Sequence, residues 1–395
     1  MAGTAVVVGG GIGGLASAVA LAEAGWATTV LERARRLGEV GAGVALTPNA
    51  VAALGGLGFD DDAVAGLGPR TWATGTRDRH GRPILRLPDD PDLRATTALR
   101  GVHRARLHGA LLERARALGV EVVTDARVTT VVAGVPGGAR AVVHHADGAG
   151  AEREREADLV VGADGVRSAV RAALYPGSRP AYSGFSSWRA VVPGLAAEPG
   201  LLQYWGPDAE FGTMPVSGGA TYWYGYVRMP EGARLDDEHG AATDRFAGWT
   251  DEVRQVISAT PPEAVIRHDV LHLPGGLPCY VRGRVVMVGD AAHATVPTMG
   301  QGAATALEDG VCVGRIVAAG VASGQPLGDA LAAYDAARRP RCRALARASV
   351  ASGRFGSHLG PRGQALRNAV MRRVPAAAVT RGARAVMGWT PPALP

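Results

Sequence analysis

Three short stretches hold residue types and spacings that could do chemistry. The first is Gly9-Gly10-Gly11-Ile12-Gly13-Gly14, a G-x-G-x-x-G pattern on Gly9, Gly11 and Gly14 with the acid Glu32 about 20 residues further on. The second is Asp164-Gly165, with Arg167-Ser168 behind it. The third is Asp290, followed by His293, Pro297 and the run Gly300-Gln301-Gly302-Ala303-Ala304. Glycines at the first spacing bring backbone N–H groups up to a pyrophosphate, and an acid at that distance accepts hydrogen bonds from a ribose diol. The spacing points to a bound dinucleotide and leaves NAD and FAD open.

The surrounding patterns supply the elements that must position these residues. Residues 5–8 are an apolar run that predicts a buried strand, 15–24 an alanine-rich helix closed by Gly25, and 28–31 a second strand ending at Glu32. The glycines therefore sit in a βαβ turn: Gly9 permits its tightness, Gly11 the approach of phosphate, and Gly14 the close packing of helix on strand. Residues 159–161 and 285–288 are further apolar runs, each delivering an acid (Asp164, Asp290) to the carboxyl end of a sheet, where ligands of α/β folds bind. The helix opening at Gly302 aims its positive dipole end at the same place. A helix is expected over 100–118, small antiparallel strands over 120–132 and 141–145, and one helix near 244–258. Irregular strands between 71 and 97, with a concentration of aromatics between 182 and 228, predict a second, antiparallel sheet. The expectation is an α/β chain with a Rossmann-like domain in three parts, 1–72, 98–178 and 277–335. An antiparallel-sheet substrate domain at 73–97 and 179–276 is interleaved with it, and C-terminal helices occupy 336–395.

Composition narrows the function classes. A chain of 395 residues exceeds what one core ordinarily serves. No apolar run reaches the length of a membrane span, and the first strand starts too early to leave room for a signal peptide, so a cytoplasmic location is expected. Cys279, Cys312 and Cys342 are odd in number and lack ligand spacing, which argues against a disulfide framework and leaves no metal site expected. The chain has no lysine, which excludes Schiff-base chemistry. Its +6 charge is therefore arginine, and twelve arginines with no acid fall in 336–395, so the remainder nets 6 − 12 = −6. A solvated helix face is the stronger reading of that tail and contact with an anionic carrier protein the weaker; nucleic acid is not expected.

Taken in order, the three motifs resemble those of the single-component FAD-dependent aromatic hydroxylases typified by para-hydroxybenzoate and salicylate hydroxylases, over residues 5 to about 334. The resemblance implies an FAD-binding domain of the glutathione reductase type, non-covalent FAD, NADH or NADPH as cosubstrate, and O2. It implies hydroxylation of an aromatic or polyketide-like small molecule through a C4a-hydroperoxyflavin, in a site that excludes water. It assigns the pyrophosphate to Gly9, Gly11, Gly13 and Gly14 and the adenosine ribose to Glu32 with Arg33. Adenine falls to Val128, the FAD phosphates and ribityl to Arg104 and Asp290, and FAD with NAD(P)H to Asp164. Val44 and the run Gly300, Gln301, Gly302, Ala303 and Ala304 flank the isoalloxazine; relatives often carry Asn or Cys where Ala304 stands. On the substrate side it implies Pro297 and Tyr222 at the reacting end; the aromatic sheet offers Arg189 as a further candidate there, and Tyr204, Glu210, Phe211, Met214 and Tyr224 as candidates around it. Glu210 stands where urate-type relatives carry a positive residue, which argues against urate. His293 reads as structural in its turn. A homodimer is left open, as are epoxidation or an isoprenoid-type reductase on the same fold, and a non-catalytic redox sensor is the reading outside enzymes.

Overall fold

The apolar run at 5–8 forms the strand Thr4–Val8, which lies inside a six-stranded sheet in the computed structural model. The structure describes residues 3–38, 42–87, 91–195 and 199–395, so parts of the expected polar run 33–43 and of the strands at 71–97 lie outside it. The sheet order is Val281–Arg282, Val285–Met287, Leu159–Gly162, Thr4–Val8, Ala27–Leu31, Glu121–Val123. Pairing is parallel except for the first hairpin. The register sets Val8 beside Gly162 and Leu31, and Gly162 beside Met287. All three motifs therefore leave the sheet from one edge. The core strands are buried on both faces, as parallel strands covered by helices must be.

A second sheet runs Ile266–His272, Ala181–Pro193, Ala220–Arg228, Ala209–Val216, Leu201–Gly206, Arg70–Asp78, Ala98–His103, Gly43–Leu46, with Pro83–Arg86 added on Arg70–Asp78. Its pleat sorts the aromatics onto two faces. Trp188, Tyr204, Phe211 and Trp223 face the helices Glu238–Phe246 and Asp251–Ser258. Met214, Tyr222 and Tyr224 face the other way, toward Gly43–Leu46. The helices Leu327–Gly356, Pro361–Met371 and Ala376–Met387 close the chain.

Several expectations shift. The helix expected from residue 100 begins at Arg104, because Ala98–His103 is a strand paired with Gly43–Leu46. Both of these strands lie within the expected dinucleotide parts yet extend the large sheet, which ties the two layers together. Residues 121–123 join the parallel sheet, and the charged run Glu152–Ala157 is the third strand of the small sheet. The single helix at 244–258 is two, each with its own start: Asp237 accepts from the Gly240 N–H, and Thr250 stands at the second N-terminus.

Candidate active site

The glycine turn is shaped by contacts that only glycine allows. Gly9 has φ +104°, and a Cβ there would lie 2.5 Å from the Ala163 carbonyl oxygen. A Cβ on Gly14 would collide with the carbonyl oxygen of Gly9, whereas one on Gly11 would meet nothing within 4 Å. Open backbone thus lies at the N-terminus of the helix Ile12–Glu23, where an anionic group is favoured. The Glu32 carboxylate accepts from the N–H groups of Gly10 (2.7 Å) and Ala34 (2.8 Å), and Arg33 beside it is exposed. The Ala126 N–H donates to the Glu32 carbonyl, which brings the strand carrying Val128 alongside. His108, a residue the sequence reading did not single out, donates from Nε2 to the Gly10 carbonyl at 2.7 Å. It lies four residues after Arg104 and so on the same helix face, a spacing that could have flagged it.

Asp164 is occupied within the chain: it accepts from Ser168 Oγ (2.5 Å) and from the N–H groups of Ala169 (2.6 Å) and Val170 (3.1 Å), starting the helix Ala169–Leu174. Burial pushes its carboxyl above the usual range against those bonds. Asp290 is exposed in the first turn of Asp290–His293, and Pro297 and Gly300 are exposed beyond it. Gly302 and Ala303 are half-buried, Gln301 and Ala304 buried, at the start of the helix Gly302–Cys312.

Beneath that helix start lies a polar cluster that the sequence reading missed. Glu308, with no exposed side-chain surface, takes Asn49 Nδ2 and Arg341 Nη2 on Oε1 and Arg338 Nη1 and Arg341 Nε on Oε2, all at 2.7 Å. Asp309, equally buried, takes Arg338 Nε (2.7 Å), the Gly289 N–H (2.8 Å) and His293 Nε2 (2.6 Å). Burial works to raise the Asp309 carboxyl, but the His293 and Arg338 charges outweigh it and hold it at about 2. Asn49 Nδ2 also donates to Gln301 Oε1 at 3.0 Å. The cluster therefore joins the first turn of the helix Pro48–Gly56, the helix start at Gln301 and the helix Leu327–Gly356. His293, Asp309 and Cys342 lie within 4.8 Å of one another, but Arg338 already supplies the cation there. The adjacent acids Glu308-Asp309, inside an otherwise small and apolar helix, were the available signal.

The sheet face toward Gly43–Leu46 gathers most of the expected substrate residues. A Cβ on Gly43 would run into the ring of Tyr222, so glycine is what lets strand and ring meet. Burial raises the Tyr222 phenol, and Arg189 and Arg104 are close enough to oppose that rise. The Tyr222 and Tyr224 rings are 6.3 Å apart, Gln203 Nε2 donates to the Tyr224 hydroxyl at 2.8 Å, and Met214 packs beside them. Glu210 is further along the same face. Tyr204 and Phe211 are corrections: the pleat turns them to the other side, where Phe211 stacks on Trp223 at 5.3 Å and packs against Phe246. They are core, because neighbours one residue apart on a strand take opposite faces.

Glycines that admit no side chain, open N–H groups at a helix start, and an acid at the end of the next strand fit the pyrophosphate and ribose of FAD. A second helix start of small residues faces the same edge and fits its flat ring. Fold and site together define a flavin-dependent oxidoreductase with an antiparallel sheet over its cofactor edge. A family model described as an FAD binding domain matches residues 3–349, and the chain belongs to that family. It is 35% identical over 395 residues to the aurachin C monooxygenase/isomerase of Stigmatella aurantiaca, covering 98% of each chain. It is 37% identical over 318 residues to the 3-amino-4-hydroxybenzoate 2-monooxygenase of Streptomyces cremeus, covering 77% of this chain and 75% of that one. Among solved structures it resembles HpxO of Klebsiella pneumoniae complexed with FAD and uric acid, with TM-score 0.83, 26% identity and coverage of 97% and 96%. The chain is an NAD(P)H-dependent flavoprotein monooxygenase. No described helix is long and apolar enough to cross a membrane.

Proposed function

We propose that this chain is a cytoplasmic enzyme that hydroxylates an aromatic ring held between the helix start at Gly300–Ala304 and the sheet face bearing Tyr222, Tyr224 and Met214. Bound FAD supplies reduction by NAD(P)H and activation of O2. The protein's own residues bind and orient. Gly9, Gly11, Gly13 and Gly14 hold the pyrophosphate, Glu32 the ribose and Val128 the adenine side. Arg104 and Asp290 hold the ribityl and phosphates, and Asp164 supports the turn beside them. Val44 and Gln301 to Ala304 flank the ring. Arg189 and Arg104 place positive charge beside Tyr222, favouring an electron-rich, acidic phenol or its anion there. The observation that carries the reading is Gly43 against the Tyr222 ring: it couples the strand of the cofactor side directly to the substrate sheet. Glu210 replaces the positive group of urate-type relatives and supports a substrate other than urate.

The test is anaerobic stopped-flow reduction of the holoenzyme by NADH and NADPH across phenols and polycyclic aromatics, followed by oxygen uptake and product analysis. One compound should speed flavin bleaching and emerge carrying one oxygen atom. Fast bleaching with no oxygenated product from any compound would favour a reductase, and failure to take up FAD would overturn the reading.

A further inference from the structure

Residues 336–395 hold twelve arginines and no acid, and those arginines turn two ways. Arg338, Arg341 and Arg367 point inward to buried carboxylates and carbonyls. Arg362, Arg373, Arg381 and Arg384 are exposed and form no ion pair among the described residues. Exposed apolar side chains collect in the same region. Of the seven large ones among the described residues, Phe355, Leu366, Val370 and Leu394 all fall after residue 354. On the helix Pro361–Met371 the two kinds of residue share one face. Gln364 and Arg367 are buried on its inner side, where Arg367 Nη1 donates to the carbonyls of Phe355 (2.8 Å) and Gly356 (2.7 Å). Arg362, Leu366 and Val370 recur every four residues on the opposite side, with Leu366 71% and Val370 54% exposed. Arg373 follows in the turn that ends the helix, exposed although its Nη1 donates to the Ala369 carbonyl. The stripe is apolar in the middle and cationic at both ends, over about 16 Å. The next helix, Ala376–Met387, exposes Arg381 and Arg384 together with Ala377, Ala378 and Ala385.

An occupant of this face must cover cations and apolar side chains together. A second copy related by a two-fold axis would set arginine against arginine, with no acid on the face to separate them. A folded acidic protein pairs with the arginines but covers Leu366 and Val370 only if it carries a matching pocket. A bilayer with anionic headgroups answers both demands. The apolar side chains enter the acyl boundary, and the arginines stay at headgroup level on their flexible stems. No described helix is long and apolar enough to cross a membrane, so the contact lies on the surface. We propose that the outward face of Pro361–Met371, with the arginines of Ala376–Met387 adding to its field, docks on an anionic lipid bilayer, as the cytoplasmic leaflet is. None of the residues proposed to bind flavin or substrate takes part.

The test is co-sedimentation of the FAD-loaded protein with vesicles of phosphatidylcholine alone and of phosphatidylcholine mixed with phosphatidylglycerol. Mixed vesicles should bind about tenfold more tightly or better at low salt, and added salt should shrink the preference. Arg362→Gln with Arg373→Gln should weaken binding roughly 25-fold, about fivefold for each charge. Leu366→Gln with Val370→Gln should weaken it about tenfold. All four side chains are exposed, so melting temperature, FAD content and NAD(P)H oxidation in free solution should stay at parent values. Those readouts separate lost docking from a lost fold and from failure of the monooxygenase reading. No binding to mixed vesicles, equal binding to both kinds, or parent-like binding of either double variant would overturn the proposal. So would capture by poly-L-glutamate without vesicle binding, which would mean an acidic protein surface. Self-association lost in the Leu366 and Val370 variant, again without vesicle binding, would overturn it in favour of a second copy.

Discussion

Replacing Glu308 by leucine tests whether the buried cluster holds the cofactor edge together. The carboxylate has no exposed side-chain surface and receives four hydrogen bonds at 2.7 Å from Asn49, Arg338 and Arg341. With His293 protonated, the parent cluster carries three cations against two carboxylates; the variant keeps all three cations against Asp309 alone. Removing one partner of a buried pair costs about 3–5 kcal/mol, because the charge left behind stays out of water. At roughly 2 °C per kcal/mol for a large domain, the melting temperature of the FAD-loaded protein should fall by about 5–10 °C. The loss should also depend on pH. Burial opposes protonation of His293, but Cys342 and Asp309 raise it well above 6.5. Its stabilising share is therefore complete below the unfolded value near 6.5 and is lost as pH rises through the folded value. Extra positive charge in the variant lowers that folded value, so the gap between parent and variant should be widest below the unfolded value near 6.5 and narrow as pH rises through the folded value. Flavin fluorescence should report release of FAD early in the same transition, because Asn49 and Gln301 lose their anchor. A fall under about 2 °C, or a gap that widens with pH, would refute the reasoning.

Three further outcomes follow from the geometry. Gly14→Ala puts a Cβ into the Gly9 carbonyl and should weaken FAD binding by about tenfold or more, measured by titrating the apoprotein with FAD. Phe211→Ala should cost about 3–5 kcal/mol in denaturant unfolding, as core truncations do, while Tyr222→Phe should leave stability nearly unchanged and alter substrate KM or kcat; the reverse pattern would mean the two sheet faces have been misassigned. Burial raises the Glu210 carboxyl to about 8, so the folded chain holds a proton there that the unfolded chain has released, and stability falls as pH rises from about 4.5 to 8. Glu210→Gln should accordingly gain on the parent across that window and match it at pH 5, as thermal unfolding would read out.

What was legible in the sequence is what has a local physical signature. The glycine turn was readable because Gly9 and Gly14 each answer to a separate steric demand and Gly11 leaves the backbone open, and the strand ends at Glu32, Asp164 and Asp290 because a short strand of largely apolar or β-branched residues stops just before each acid. The substrate sheet was recognised, but its faces were not: Tyr204 and Phe211 were grouped with Tyr222 and Tyr224 by composition, although the period of two separates them once the register is known. The strand Ala98–His103 went unread because it continues without a turn into the helix Arg104–Ala117, and only pairing with the distant Gly43–Leu46 makes it a strand.

The arginine tail shows why charge read from sequence alone misleads. On the helix Leu327–Gly356 the buried positions Tyr334, Arg338, Cys342, Leu345, Ser349, Gly353 and Gly356 recur every three or four residues, a core-facing seam of regular period. A hydropathy reading passes over it because one member is arginine and three are small or polar. The partners that make Arg338 a core residue, Glu308 and Asp309, lie about 30 residues earlier, and each acid looks equally misplaced in its own helix until the two are brought together. Arg341 on Glu308, Arg343 on the Leu277 carbonyl and Arg367 on the carbonyls of Phe355 and Gly356 extend the same logic. The positive excess of the tail is thus in good part internal, matched to acids and helix ends of the cofactor edge and the substrate sheet, which leaves less of it for a partner than the count of twelve suggests.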